Sequence, residues 1–270
     1  MNMLKRTATA AVIIPLVLVG LFYFSRLAFF IFIQLVMLAA LVEFYNLPRK
    51  KKVFPARTIG ILLAFTISAS FYFSEFSFGL ALFACLFVLG LYYLLTVDIL
   101  EKLVQFPAGM ALTFFGAVYL SFTLNYFNWL RNDFGALYIV FMLLVINIGD
   151  SFAMLAGRLW GKHKFAPLAS PNKTWEGSLA GVLTGVMAGV IFQQIFLQDQ
   201  AVLWRTILIA ALIQAVAQIS DPIESLFKRA SGVKDSSHLL PGHGGFLDRV
   251  DSLILATPFF YYILVYFGMN

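Results

Sequence analysis

Residues 177–197 read GSLAGVLTGVMAGVIFQQIFL, an apolar stretch of 21 residues without a single charge. At 1.5 Å of rise per residue, about 20 apolar residues in a helix cross the ~30 Å hydrocarbon core of a bilayer. No water is present there to satisfy backbone N–H and C=O groups, so a lone crossing segment must pair them internally, as a helix does. The apolar residues run continuously instead of alternating, which argues against a β-barrel strand. Glycines recur at positions 177, 181, 185 and 189. Spaced four apart, they form an extended GxxxG stripe on one helix face, which admits a close neighbouring helix or a second copy of the chain.

The same kind of run recurs along all 270 residues, at about 8–24, 27–47, 57–73, 77–96, 103–125, 134–157, 203–220 and 251–268. The chain is 61% hydrophobic and 12% charged, half the charge of about 25% carried by a soluble globular chain. The expected fold is an all-α polytopic integral membrane protein with about nine transmembrane helices. With the N-terminus in the cytoplasm, sixteen of the nineteen Lys and Arg residues fall in cytoplasmic segments, and only Arg26, Arg131 and Arg205 fall outside. Positively charged loops stay inside, so the expected topology is N-terminus cytoplasmic and C-terminus outside, in the cell (inner) membrane. The same distribution accounts for the net charge of +6 without a nucleic-acid partner. Lys5 and Arg6 precede the first run as they would in a signal peptide. No small-residue cleavage site leads into a soluble domain, so that run is expected to stay as the first helix. The lone Cys85 lies within an apolar run, which excludes a disulfide framework.

Polar residues gather toward the C-terminus. Residues 1–130, with spans 1–5, are therefore expected to be a transmembrane scaffold holding little that could do chemistry. Residues 131–270, with spans 6–9 and two large cytoplasmic loops, are expected to be the catalytic region. Asp150 sits near the cytoplasmic end of span 6, where an acid is costly unless paired or metal-bound. It is a candidate metal ligand, or else an ion-pair partner for Arg158. Further on comes Ser170-Pro-Asn-Lys173-Thr174-Trp-Glu176. Lys173 offers a point charge, Thr174 a hydroxyl, and the start of span 7 a positive dipole end, which together suit a phosphate. A capped helix entry with Glu176 in the first turn is the structural alternative.

The longest polar stretch, residues 225–251, reads SLFKRASGVKDSSHLLPGHGGFLDRVD. Asp221 lies just upstream, at the end of span 8. Asp248 and Asp251 are three apart at the start of span 9 and share a helix face. Like charges so placed repel unless a cation sits between them, and hard oxygen ligands suit Mg²⁺. Taken alone, Asp248 would sooner be a helix cap. Its neighbours favour chemistry. The glycines at 242, 244 and 245 free the backbone to wrap a ligand. Lys228, Arg229 and Lys234 add positive charge for a polyphosphate, Arg249 can hold a phosphate bidentately, and His243 can donate to a phosphate oxygen. Together these residues point to metal-assisted phosphoryl or nucleotidyl transfer.

The pattern Ser225-x-x-Lys-Arg-x(4)-Lys-Asp-x(5)-Pro-Gly-His-Gly-Gly-x-x-Asp-Arg-x-Asp resembles the signature of the phosphatidate cytidylyltransferases, also called CDP-diacylglycerol synthases. The upstream segment from Asp150 through Gly-Lys-His-Lys to Ser-Pro-Asn-Lys-Thr-x-Glu-Gly is similar to that family as well. The resemblance covers roughly residues 147–252. It departs at Ser220, where many members have glycine. It implies that CTP and phosphatidic acid give CDP-diacylglycerol and pyrophosphate, with Mg²⁺ as cofactor and K⁺ beside it. Asp221, Asp248 and Asp251 become the implied metal ligands, with Asp150 as a fourth. The implied catalytic set is Asp221, Asp248, Asp251, Lys228, Arg229 and His243. The implied substrate-binding set is Lys173, Thr174, Ser225, Lys234, Gly242, Gly244, Gly245 and Arg249. The glycine stripe permits a homodimer. A CDP-alcohol phosphotransferase also uses DxxD carboxylates with Mg²⁺, but it fits the Pro-Gly-His-Gly-Gly turn poorly. A cation transporter would hold its acids near the bilayer midplane instead of at helix ends. A purely structural membrane protein leaves the polar loops without a purpose.

Overall fold

The structure, a computed structural model, describes residues 3–48, 53–197, 202–237, 239 and 244–267, with backbone alone for residues 3–10. The described residues form nine α-helices: α1 (Met3–Tyr23), α2 (Arg26–Asn46), α3 (Arg57–Tyr72), α4 (Phe78–Thr96), α5 (Leu100–Trp129), α6 (Ala136–Trp160), α7 (Trp175–Phe196), α8 (Leu203–Ala230) and α9 (Leu247–Tyr266). A π-helical turn, Leu130–Phe134, extends α5. Each apolar run falls on one helix. Among the described residues six helices are long and apolar enough to cross a membrane: α2, α4, α5 with its π turn, α6, α7 and α8. Ala11–Tyr23 and Arg57–Tyr72 are apolar but shorter. The chain is a multi-pass membrane protein.

Two features depart from the expected fold. A two-stranded antiparallel hairpin, β1 (Lys164–Ala166) and β2 (Ser170–Thr174), replaces the loop expected between spans 6 and 7. The eighth helix also runs ten residues beyond the expected end at residue 220, reaching Ala230. Polarity marks the end of the apolar environment and not the end of helical hydrogen bonding. Residues 223–230 are mostly good helix formers, Glu224 and Lys228 pair one turn apart, and Lys228 and Arg229 suit the negative end of the helix dipole. The helix stops before Gly232, whose φ of +73° is the left-handed conformation common just past helix ends.

The chain forms two compact units, one of Met1–Asn128 with Ala230–Val250 and one of Trp129–Arg229 with Asp251–Asn270. Within the first unit Tyr45 is buried and its hydroxyl donates to the Thr113 carbonyl (2.6 Å). A buried amide chain joins three of its helices, with Gln34 Nε2 donating to Asn125 Oδ1 (2.9 Å) and Asn125 Nδ2 donating to Ser68 Oγ (2.8 Å).

In the second unit the glycine stripe packs within the chain, against α6. A Cβ added at Gly177 would come 2.5 Å from the Ala153 carbonyl, at Gly181 2.8 Å from that of Gly149, and at Gly185 3.1 Å from that of Val145. The partners step back by four as the glycines step forward by four, so the two helices run antiparallel in a fixed register. Gly181→Val places branched carbon into this contact and is expected to cost about 1–3 kcal/mol by over-packing. The check is thermal unfolding in detergent. Gly79→Ala, whose added Cβ meets nothing within 4 Å, should melt like the parent.

Candidate active site

The eighth helix organises the second unit's polar residues. Gln214, Gln218, Asp221, Ser225 and Lys228 alternate by four and three and so share one face. Gln214, Gln218, Glu224, Ser225 and Lys228 are buried. Burial of polar groups is tolerated only where hydrogen bonds replace those lost to water. Gln214 Nε2 donates to Asp150 Oδ1 (2.9 Å), Gln218 Nε2 to the Ser178 carbonyl (3.1 Å), and Ser225 Oγ to Asp221 Oδ1 (3.3 Å). Lys228 Nζ lies 2.6 Å from Glu224 Oε2, a pair with side chains 6% and 0% exposed. Removing one partner of such a pair strands the other charge, at about 3–5 kcal/mol.

Pro222 lies inside this helix. A proline has no N–H, so the carbonyl four residues back loses its helical donor. That carbonyl belongs to Gln218, and Lys173 Nζ donates to it at 3.3 Å. The same ammonium sits 2.7 Å from Asp221 Oδ2. One lysine therefore satisfies both the gap left by Pro222 and the carboxylate one residue before it. The pair is half-buried, with side chains 24% and 28% exposed.

Lys173 reaches α8 from β2. Its neighbour Thr174 is buried and caps the next helix, with Oγ1 accepting from Gly177 N at 3.2 Å. The hydroxyl expected on a phosphate is thus engaged as an N-cap. Glu176 accepts from the backbone N–H groups of Lys162 (3.1 Å) and His163 (3.3 Å), and its Oε1 lies 2.6 Å from His163 Nδ1. This is the capped entry that was the structural alternative, and it secures the hairpin from α6 to α7.

Asp221 is also the hub of the acids. It lies within charge-interaction range of Asp150 and of Asp251, and Asp251 within range of Glu224 and Lys228. Ser220 Oγ donates to the Asp251 carbonyl, and Ser252 N to Asp251 Oδ1 (2.7 Å). Asp150, Asp221, Glu224 and Asp251 set four carboxylates against the ammonium groups of Lys173 and Lys228. A surplus of hard, anionic oxygen is the donor chemistry a divalent cation takes. Among the described residues no three His, Cys, Asp or Glu side chains converge as a ready metal cage. Asp221 and Glu224 are drawn instead to their lysines.

The first unit holds a second carboxylate centre. Asp248 Oδ2 accepts from Ser236 N (3.0 Å), Ser236 Oγ (2.9 Å) and Gly245 N (2.9 Å). Here Asp248, an expected metal ligand, organises the start of α9, as its capping alternative implied. Glu43 from α2 accepts from Ser236 Oγ (2.7 Å), Ser237 Oγ (2.6 Å), Phe246 N (3.1 Å) and Leu247 N (2.9 Å). Glu43 is only 3% exposed. It was passed over because spans 1–5 read as scaffold, although an acid near a span's end is a signal in itself.

The remaining expected site residues are placed less closely. Arg229 Nε donates to the Ala169 carbonyl (3.2 Å). Lys234 and Arg249 are exposed. Gly244 has φ +79°, and Gly245 is buried, its added Cβ meeting Ser236 and Glu43. Gly242 and His243 lie outside the described residues.

Comparison with known proteins bears on what this arrangement does. The model of the Cytidylyltransferase family matches residues 4–267. The chain belongs to the cytidylyltransferase family. It is 32% identical over 273 residues to the phosphatidate cytidylyltransferase of Bacillus subtilis (strain 168), covering 98% of this chain and 99% of that protein. It is 48% identical over 122 residues to the phosphatidate cytidylyltransferase of Pseudomonas aeruginosa, a match spanning 45% of each chain. This cytidylyltransferase therefore carries the family's likeness through its N-terminal helices, where the sequence offered no motif.

Replacing Pro222 by alanine restores the helical donor to the Gln218 carbonyl and takes one partner from Lys173. In Pro222→Ala, cytidylyl transfer should fall several-fold while the melting temperature holds or rises. Paired activity and thermal-unfolding measurements on one preparation check this.

Proposed function

We propose that this cytidylyltransferase makes CDP-diacylglycerol from CTP and phosphatidic acid, releasing pyrophosphate. The observation that carries this reading is the family match across residues 4–267. The relatives named above are phosphatidate cytidylyltransferases, and the half-buried Lys173–Asp221 pair supplies the charged centre such a reaction needs.

In the reaction, a phosphate oxygen of phosphatidic acid forms a bond to the α-phosphorus of CTP. The bond from that phosphorus to the bridging oxygen breaks, and the electron pair leaves on pyrophosphate. A phosphomonoester's second pKa is about 6, so the attacking oxygen is already anionic near neutral pH and needs no strong general base. The difficulty is to bring anions together. Lys173 and Lys228, paired with Asp221 and Glu224, place two ammonium groups on the polar face of α8, and the surplus carboxylates there call for a further cation. Fixed charges in a half-buried site cost no reorganisation during the reaction. Asp221 and Asp251, with Asp150 nearby, are the residues that would hold Mg²⁺. When bound there, the ion would supply Lewis-acid stabilisation of charge on the phosphoryl oxygens.

The distribution of Lys and Arg supports a nine-span topology with the N-terminus in the cytoplasm. In that topology the two large polar segments face the cytoplasm, where CTP is, while the lipid enters at headgroup depth from the cell membrane.

The test is turnover in detergent micelles with labelled CTP and phosphatidic acid, with and without Mg²⁺. The expected result is Mg²⁺-dependent entry of label into the organic phase, with one pyrophosphate released per lipid labelled. Folded protein that releases pyrophosphate without labelling lipid, or does neither, would overturn the reading.

A further inference from the structure

The Glu43 side chain has no place in the signature that marks this family, yet it accepts four hydrogen bonds in the first unit's polar centre. Both of its oxygens accept two hydrogen bonds. Oε1 takes Ser237 Oγ (2.6 Å) and Phe246 N (3.1 Å), and Oε2 takes Ser236 Oγ (2.7 Å) and Leu247 N (2.9 Å). The four donors come from residues 236, 237, 246 and 247, about two hundred positions away in the chain.

Two of those donors are the backbone N–H groups at the start of α9, which begins at Leu247. The first N–H groups of a helix have no partner within it. Phe246, immediately before the helix, has no side-chain oxygen with which to cap it. Gly245 N is taken by Asp248 Oδ2 (2.9 Å), reaching back one turn as the acid of a capping box does. The two N–H groups that follow are taken by Glu43. Two carboxylates thus share the work of one N-cap, and a negative charge there is favoured by the helix dipole. Ser236 couples them. Its Oγ lies 2.7 Å from Glu43 Oε2 and 2.9 Å from Asp248 Oδ2, and one hydroxyl proton serves one of them at a time. No room exists for a side chain between them, since an added Cβ at Gly245 would meet both Ser236 Oγ and Glu43 Oε2.

We propose that Glu43 is a positioning residue for cytidylyl transfer: from α2 it caps α9 in place of a local side chain and so fixes the helix start that carries Asp248 and, one turn on, Asp251. This inference rests on the cytidylyltransferase reading of the site. It assigns a role in the reaction to a helix that otherwise looks like scaffold. Glu43 touches no reacting atom. It acts through the position of α9.

Three variants and two independent readouts test this. Glu43→Gln keeps size but loses the charge and turns one acceptor into a donor facing N–H groups. It should lower kcat at least tenfold and raise the half-activating Mg²⁺ concentration several-fold, with KM for phosphatidic acid within twofold of the parent. Amide hydrogen exchange at Phe246 and Leu247 should quicken at least tenfold. Glu43→Asp keeps the charge and should recover most of the lost kcat. Unchanged exchange at both amides overturns the cap, and faster exchange with unchanged kcat and Mg²⁺ dependence overturns the positioning role. Should Glu43→Gln fail to fold, Ser237→Ala removes one donor to Oε1 alone and should show the same signature at smaller size. Parent-like kcat, Mg²⁺ dependence and exchange in that variant also overturn the proposal. Parent protein that labels no lipid defeats the functional reading instead, and the exchange data still decide whether Glu43 caps α9.

Discussion

Pro222 removes one N–H from the middle of α8, and the second unit's polar centre is built on the carbonyl it leaves exposed. In an apolar chain that carbonyl cannot go unpaired. Lys173 meets the need from β2, and in doing so its ammonium arrives beside Asp221. A missing hydrogen bond thus places a charge. The hairpin, the Thr174 cap and the Glu176 clamp all serve to deliver that lysine to one point on the helix. The antiparallel register of α6 and α7, set by glycines against backbone carbonyls, fixes both ends of the hairpin in turn. A side chain at those glycines would displace the hairpin and Lys173 with it.

The first unit solves a related problem by a different route. At the start of α9 the N–H group of Gly245 is taken by Asp248 from within the helix, and those of Phe246 and Leu247 by Glu43 from α2. In the first unit the carboxylates are held by backbone N–H groups that would otherwise be stranded, and in the second Asp221 is held by the lysine that also meets a stranded carbonyl. The acids are therefore held in place by the fold itself.

Helices are legible in this sequence because length and continuous hydrophobicity leave a membrane segment few choices. The uncharged run at 177–197 falls on α7, and its glycine stripe lies buried against α6. Other features were hidden for physical reasons. The end of α8 was misplaced because polarity after Asp221 signals a change of surroundings, while Glu224, Lys228 and their helix-forming neighbours continue the hydrogen-bond ladder. The hairpin has strands of three and five residues, too short to show alternation, and Pro171 lies within the second. Lys173 and Asp221 were singled out from separate motifs, but nothing in either motif says that they meet. Glu43 was missed because its partners lie about two hundred residues away, and a single acid in an apolar helix reads as an exception until its donors are seen.

The account stands on the claim that the acids clustered around Asp221 are where the reaction's charge is handled. The most direct measurement is steady-state kcat of Asp221→Asn and Asp251→Asn at saturating CTP and Mg²⁺, beside thermal unfolding of the same samples. The account predicts a loss of at least a hundredfold in each, with cooperative melting retained. Folded variants within a few-fold of the parent would contradict it and place the chemistry elsewhere in the chain.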